Sequence, residues 1–167
     1  MPGGMSPTEQ VLSLRRAGKH EEACSLAVAL VAQFPQDAEL QYQAACVHDY
    51  LGREAQAVPY YLAALRGSLS AEHLRSAYLG LGSTYRALGQ YPAAERTLRE
   101  GLVRFPDAAE LKVFLAMALH NLGQSKQAVE LLLTVLAESS SDAEIQNYRE
   151  AILFYAQDIE KSWPDAG

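Results

Sequence analysis

Cysteine is scarce in this chain. Cys24 and Cys46 are the only two among 167 residues, and no CxxC pair occurs. A disulfide framework needs more cysteines than this, and a zinc site needs several closely spaced ligands. We therefore expect both thiols to be reduced and partly buried, because unpaired cysteine is among the most buried residue types.

Long apolar runs are also missing. No stretch reaches the roughly 18 apolar residues that a membrane-spanning helix needs. The first residues contain neither the basic region nor the apolar segment of a signal peptide. We therefore expect no signal peptide, no membrane partner and a cytoplasmic location.

Basic residues are outnumbered by acidic ones. The chain has 14 Lys and Arg against 20 Asp and Glu, which gives a net charge of −6. The excess lies at the end, since seven acidic and only two basic residues follow from Glu138 onward. Nucleic acid is not an expected partner, because phosphate backbones are bound by basic surfaces. Charge complementarity favours a neutral or basic partner instead.

Known catalytic motifs are absent as well. The sequence contains no HExxH, GxSxG or P-loop pattern. The histidines stand singly, whereas metal sites cluster their ligands. They are His20, His48, His73 and His120. We expect no enzymatic activity, no cofactor and no metal site.

The chain does contain a fourfold repeat. Leu-Gly pairs occur at 51–52, 88–89 and 122–123, and Ala17-Gly18 is a related fourth pair. The glycines are spaced by 34, 37 and 34 residues, and an alanine stands five residues after each of them. The four alanines are Ala23, Ala57, Ala94 and Ala128. This spacing predicts four copies of one structural unit.

Each unit has the pattern of a helical hairpin. One helix ends at the glycine, which adopts the left-handed C′ conformation without a Cβ penalty. A second helix follows, and its alanine lets two helix backbones approach closely. In two of the units this second helix is closed by a Phe-Pro pair, because proline cannot continue a helix. Three aspartates are then predicted to cap the next helix. They are Asp37, Asp107 and Asp142.

The third unit resembles the tetratricopeptide repeat (TPR) family. Its residues Tyr78, Leu81, Gly82 and Tyr85, followed by Ala94, Leu98 and Pro106, have the spacing of that family's signature. The second and fourth units match more loosely, and the first keeps Gly18, Ala23 and Pro35. The resemblance covers about residues 5–140, and four units in register make it specific.

The resemblance implies an all-α fold, a right-handed α-α superhelix (solenoid) of about four hairpins over residues 6–140. A disordered tail is expected over 1–5, a capping helix over 141–162 and a second tail over 163–167. The cap is predicted because Ile145, Tyr148, Ile152, Tyr155 and Ile159 lie on one helical face, and solenoid ends need a unit with one polar face. Trp163 is expected to pack against this cap.

The resemblance also implies that the first helix of each hairpin lines a concave groove. The residues expected to form this groove are Tyr42, Cys46, Asp49, Tyr50, Ser83, Arg86, Val113, Met117, His120 and Asn121. Aromatic and soft apolar side chains among hydrogen-bonding groups are typical of peptide-recognition surfaces. The alternative is that Tyr42 and Tyr50 only fill space between hairpins.

The expected function is therefore that of a non-enzymatic adaptor or scaffold, which binds a neutral or basic, partly apolar protein or peptide. A dedicated chaperone for a single protein client is a special case of this function. The alternative is a self-associating structural module, in which a second copy of the chain forms a homodimer with the first.

Overall fold

The computed structural model describes residues 4–164, and they form ten helices without a strand. Residues 1–3 of the predicted N-terminal tail and 165–167 of the C-terminal tail lie outside this range. The helices are α1 (Pro7–Arg16), α2 (His20–Gln33), α3 (Ala38–Tyr50), α4 (Glu54–Arg66), α5 (Ala71–Ala87), α6 (Tyr91–Arg104), α7 (Ala109–Asn121), α8 (Ser125–Ser139), α9 (Ala143–Asn147) and α10 (Arg149–Tyr155). The predicted all-α class is confirmed.

The repeated glycines end the first helix of every hairpin. Gly18, Gly52, Gly89 and Gly123 have φ angles of 74°, 69°, 74° and 78°, the left-handed region that favours glycine. In each case the following residue donates its amide hydrogen back into the helix, as Arg53 does to the His48 carbonyl at 2.9 Å. The glycine spacing therefore marks the hairpin turns, as predicted.

Two of the three predicted aspartate caps are present. Asp37 accepts a hydrogen bond from the Leu40 amide, and Asp142 accepts from two amides at the start of α9. The prediction for Asp107 is wrong, because the N-cap of α7 is Ala108. In the Phe-Pro turn of the first unit, Asp37 is the third residue after Phe34, whereas Asp107 is only the second after Phe105.

Proline within α4 does not interrupt the helix. Pro59 lies in its first half, and α4 nevertheless runs from Glu54 to Arg66. Pro59 has no amide hydrogen for the carbonyl of Ala55 four residues earlier. Both Pro59 and Ala55 are exposed, so water can hydrogen-bond to that carbonyl and the helix continues.

The chain divides into two compact units, with the boundary between Gln90 and Tyr91. The first unit contains α1 to α5. Its core has two clusters, one formed by α1, α2 and α3 around Val11 and Leu40, the other by α3, α4 and α5 around Tyr61 and Leu81. Helix α3 contributes to both clusters, which explains why most of its side chains are buried.

The second unit contains α6 to α10. Helix α7 packs against α6 and α8, and α10 packs against α8. The repeat alanines Ala94 and Ala128 are both buried here, as are Leu98, Leu111 and Leu115. Small residues at these positions allow the close helix packing that the repeat predicts.

The C-terminal segment differs from the single capping helix predicted over 141–162. Helix α9 ends at Asn147, α10 ends at Tyr155, and turns follow over 156–161. Contacts with α8 hold these turns, since Lys126 forms an ion pair with Asp158 at 3.0 Å and Glu130 accepts from the Ile159 amide. Trp163 packs against α10 as predicted, with its ring 5.4 Å from that of Phe154.

Candidate functional site

Helix α3 presents five accessible side chains. They are Glu39, Tyr42, Cys46, Asp49 and Tyr50, and the other eight residues of the helix are buried. Four of these five, Tyr42, Cys46, Asp49 and Tyr50, are residues that the family resemblance assigns to the groove. Of the buried residues, Leu40, Ala44 and Val47 belong to one core cluster of the first unit and Ala45 belongs to the other.

A polar and aromatic cluster joins α3 to α5. The rings of Tyr42 and His73 stack at 4.6 Å. Glu39 pairs with the His73 imidazole and accepts from the Ser70 amide at 2.8 Å, where Ser70 is the N-cap of α5. Burial alone would raise the pKa of Glu39, but the hydrogen bonds from Ser70 and His73 outweigh it and lower that pKa. Tyr42 is thus stacked on a ring of α5 that is itself held by Glu39 of α3.

Asp49 is tied to two neighbouring helices. Its carboxylate accepts a hydrogen bond from the Tyr61 hydroxyl of α4 at 2.6 Å and from the Thr84 hydroxyl of α5 at 2.9 Å. Burial raises the pKa of Asp49 despite these hydrogen bonds. Asp49 therefore links α3, α4 and α5, and it remains only half-buried.

Cys46 lies between Tyr42 and Asp49 on the accessible side of α3. Its thiol is close to the hydroxyls of Tyr42 and Tyr61 and to the positive charge of Arg15, while burial raises its pKa. Arg15 of α1 donates from Nη1 to the Gln43 side chain of α3. The accessible side of α3 is thus bordered by the positive charge of Arg15 from α1.

The remaining predicted residues of the first unit differ in their surroundings. Tyr50 is 67% exposed, and its ring stacks on His20 of α2 at 3.7 Å. Ser83 and Arg86 lie on α5 and are half-buried. The structure thus groups Tyr42, Cys46 and Asp49 closely, whereas Tyr50 contacts the second helix of the preceding hairpin.

The other four predicted residues lie on α7 of the second unit. Val113, Met117 and Asn121 are half-buried, and His120 is exposed. Their spacing places all of them along one side of the helix. The His120 imidazole is 2.9 Å from the Ser125 hydroxyl at the start of α8. This side of α7 is accessible and mixes apolar with polar groups.

Residues that surround Tyr42, Cys46 and Asp49 in the structure were missed in the sequence, among them Arg15, Tyr61 and His73. Arg15 could have been found, because it stands three residues before Gly18, as Asp49 does before Gly52 and Arg86 before Gly89. Tyr61 and His73 gave no such signal, since their roles depend on contacts with residues at least 12 positions away in the chain.

Among residues 4–164, no group of three or more His, Cys, Asp or Glu side chains could hold a metal ion. Within the same part of the chain, no helix is long and apolar enough to cross a membrane.

Comparison with known proteins identifies the class of this chain. The sequence profile of the family described as Tetratrico peptide repeat matches residues 38–159. The chain therefore belongs to the tetratricopeptide repeat family, as the repeat pattern predicted. No curated protein gives a significant sequence match.

A solved structure shares the fold. A chain in the crystal structure of the APC/C hetero-tetramer Cut9-Hcn1 superimposes with a TM-score of 0.65 at 18% sequence identity. The match covers 91% of the present chain but 29% of the other. The present chain is thus similar in fold to under a third of that protein.

Proposed function

We propose that this chain is a non-enzymatic adaptor that binds a segment of another protein on the accessible face of α3 and α5, formed by Tyr42, Cys46, Asp49, Ser83 and Arg86. The observation that carries the proposal is the pattern of α3, because four of its five accessible side chains are those that the family resemblance assigns to the groove. The accessible side of α7, with Val113, Met117, His120 and Asn121, is proposed as a second contact surface.

The ordered side chains of this face support the proposal. Tyr42 is stacked on His73, and Asp49 is fixed by Tyr61 and Thr84. Side chains that are already ordered lose less conformational entropy when a ligand binds. Aromatic groups surrounded by hydrogen-bonding groups are also the residues that most often dominate binding energy.

The partner is proposed to be neutral or basic and partly apolar. The net charge of −6 favours such a partner, and Tyr42, Val113 and Met117 offer apolar contact area. The solved relative belongs to a hetero-tetramer, which supports assembly with a different protein. Two unpaired thiols suit a reducing compartment such as the cytoplasm.

The proposal is tested by affinity capture with three baits, which are the parent chain and two matched variants. Ser83→Arg places a long cation on the proposed face of α5, whereas Gln56→Arg places the same group on an exposed position of α4. A protein captured by the parent and by the Gln56→Arg bait, but lost with the Ser83→Arg bait, supports the proposal. Equal capture by all three baits contradicts it.

A second candidate function is self-association, and α8 favours it. Val129, Leu132 and Leu136 are exposed at spacings of three and four residues, which places them in one apolar stripe. Multi-angle light scattering of the parent and of Leu132→Glu distinguishes the functions. A dimer that this substitution dissociates supports self-association, and a monomeric parent rejects it.

A further inference from the structure

A second polar cluster lies away from the proposed binding face, between α2 and α3. The Cys24 sulfur is 3.5 Å from Nε2 of His48 and accepts a hydrogen bond from Nη1 of Arg53 at 3.4 Å. Cys24 is 5% exposed and His48 is 4% exposed. The Cys24 thiol, a nucleophile, is thus in contact with a base, His48, and a cation, Arg53.

The direction of the hydrogen bonds at His48 follows from its second nitrogen. Nδ1 is 2.7 Å from the Ala44 carbonyl oxygen, which can only accept a hydrogen bond. Nδ1 therefore carries the hydrogen, and Nε2 is the acceptor facing Cys24. The Tyr60 ring stacks on the imidazole at 4.9 Å and helps to fix its plane. The Cys24 thiol consequently donates to His48.

Arg53 connects this cluster to solvent. Nη2 of Arg53 binds both carboxylate oxygens of Glu21 at 2.8 and 2.9 Å, while Nη1 contacts the Cys24 sulfur. The Arg53 side chain is 37% exposed, and surface ion pairs of this kind open readily. The Arg53 guanidinium thus lies between the sulfur and solvent. That positive charge also stabilises negative charge developing on sulfur during a reaction.

We propose that Cys24 is a modification site that reacts with small hydroperoxides, with His48 as its base and Arg53 as the stabilising cation. The arrangement is that of an activated nucleophile: a thiol bonded to a base, which is itself oriented by a third group. The reaction is stoichiometric and converts the thiol to a sulfenic acid.

The proposed step balances as follows in atoms and electrons. The Cys24 sulfur attacks the terminal oxygen of the hydroperoxide, so that a sulfur–oxygen bond forms as the oxygen–oxygen bond breaks. The thiol proton passes to Nε2 of His48 and then to the leaving oxygen, which departs as an alcohol or, from hydrogen peroxide, as water. Sulfur loses two electrons and the peroxide gains them.

Oxidation at this position would affect the fold. Cys24 belongs to the core cluster of α1, α2 and α3, together with Ala27, Leu40 and Ala44. An added oxygen overfills this packed space and brings in a polar group, and both changes destabilise. The modified chain is therefore expected to melt at a lower temperature than the reduced chain.

The test uses two single-cysteine variants and hydrogen peroxide as the probe. Cys46→Ala leaves Cys24 alone, and Cys24→Ala leaves the half-buried Cys46 as the control thiol. The rate of thiol loss is measured in the folded chain and in urea that unfolds it. We expect Cys24 to react about tenfold faster, or more, in the folded chain, because a positioned base accelerates the proton transfer. A slower reaction in the folded chain overturns the proposal, because a merely buried thiol is protected by folding.

His48→Gln in the Cys46→Ala background tests the base. The rate in the folded variant should fall to that of the unfolded chain, whereas Glu22→Gln, at an exposed position of α2 outside this cluster, should retain it. Melting curves establish that each variant is folded. A folded His48→Gln variant with the full rate contradicts the assignment of His48. If that variant does not fold, the comparison of folded with unfolded Cys46→Ala still decides the proposal.

Discussion

Gly80 of α5 leaves the space that the Tyr61 ring of α4 occupies. A Cβ atom at Gly80 would lie 2.6 Å from Cζ and 2.8 Å from Cε1 of that ring. Because Tyr61 also donates its hydroxyl hydrogen to Asp49, the missing side chain at Gly80 allows α3, α4 and α5 to be joined by one hydrogen-bonded tyrosine.

Gly80→Ala should therefore destabilise the first unit. Alanine gains about 1 kcal/mol of helix propensity over glycine, but overpacking a core costs typically about 1–3 kcal/mol. Urea unfolding measures the net change. In a Tyr61→Leu background the clash is removed, so the same substitution should become neutral or stabilising. Increased stability in the parent background would contradict this packing.

The repeat alanine of α4 provides a matched test of helix packing. Ala57 is fully buried, while Ala55 in the same helix is exposed. Ala57→Arg should cost several kcal/mol, because it forces a charge into the core, and Ala55→Arg should cost about 0.5 kcal/mol or less. Thermal melting compares the two variants. Similar melting temperatures would show that Ala57 does not lie at a close helix contact.

Asp49 should make a distinctive contribution to the pH dependence of stability. Its pKa is raised above the ordinary 3.8 by burial, although Tyr61 and Thr84 donate to it. The folded chain therefore holds this proton more tightly than the unfolded chain does. Its contribution to stability is largest below pH 3.8 and declines as the pH rises through the folded-state pKa.

Asp49→Asn removes this titration while keeping an acceptor oxygen. The free energy of unfolding of the variant, relative to the parent, should thus rise between about pH 3 and neutral pH. Denaturant titrations at a series of pH values measure this difference, in which the other carboxyl groups cancel. A difference that does not change with pH would show that burial does not perturb Asp49.

The C-terminal segment should act as a cap on the second unit. Gln146 donates to carbonyls of Ala137 and Ser140, and Lys126 pairs with Asp158. Deleting residues 142–167 removes these contacts and uncovers apolar surface of α8, so we expect aggregation or a large loss of stability. Deleting only residues 164–167 is the control. A monomeric long truncation with an unchanged melting temperature would make the segment an appendage.

Local signals account for the parts of the fold that could be predicted. The left-handed glycines, the alanine five residues later and the caps at Asp37 and Asp142 act within one turn of chain, so the sequence pattern reveals them. The same register indicated which residues of α3 would be accessible, because the helical period fixes the face on which each side chain lies.

Contacts between distant parts of the chain account for what could not be predicted. The turns after Tyr155 accompany contacts with Lys126 and Glu130 of α8. The interruption near Tyr148 follows hydrogen bonds from Gln146 to the carbonyls of Ala137 and Ser140. Amphipathic spacing cannot reveal either set of contacts. The stacking of Tyr50 on His20 is likewise a contact between hairpins. The prediction for Asp107 failed because this aspartate stands one residue closer to its Phe-Pro pair than Asp37 does.

The central claim is that one accessible face of the first unit binds a protein segment, and the affinity of a captured partner tests it most directly. Isothermal titration calorimetry with the parent, Tyr42→Ala, Arg86→Ala and the α6 surface control Arg96→Ala measures each dissociation constant. We predict a loss of about 2 kcal/mol, some thirtyfold in Kd, for at least one of the two face variants, and no change for Arg96→Ala. Melting curves must show that each variant is folded. Equal affinity for all four proteins, or an equal loss with Arg96→Ala, would contradict the claim.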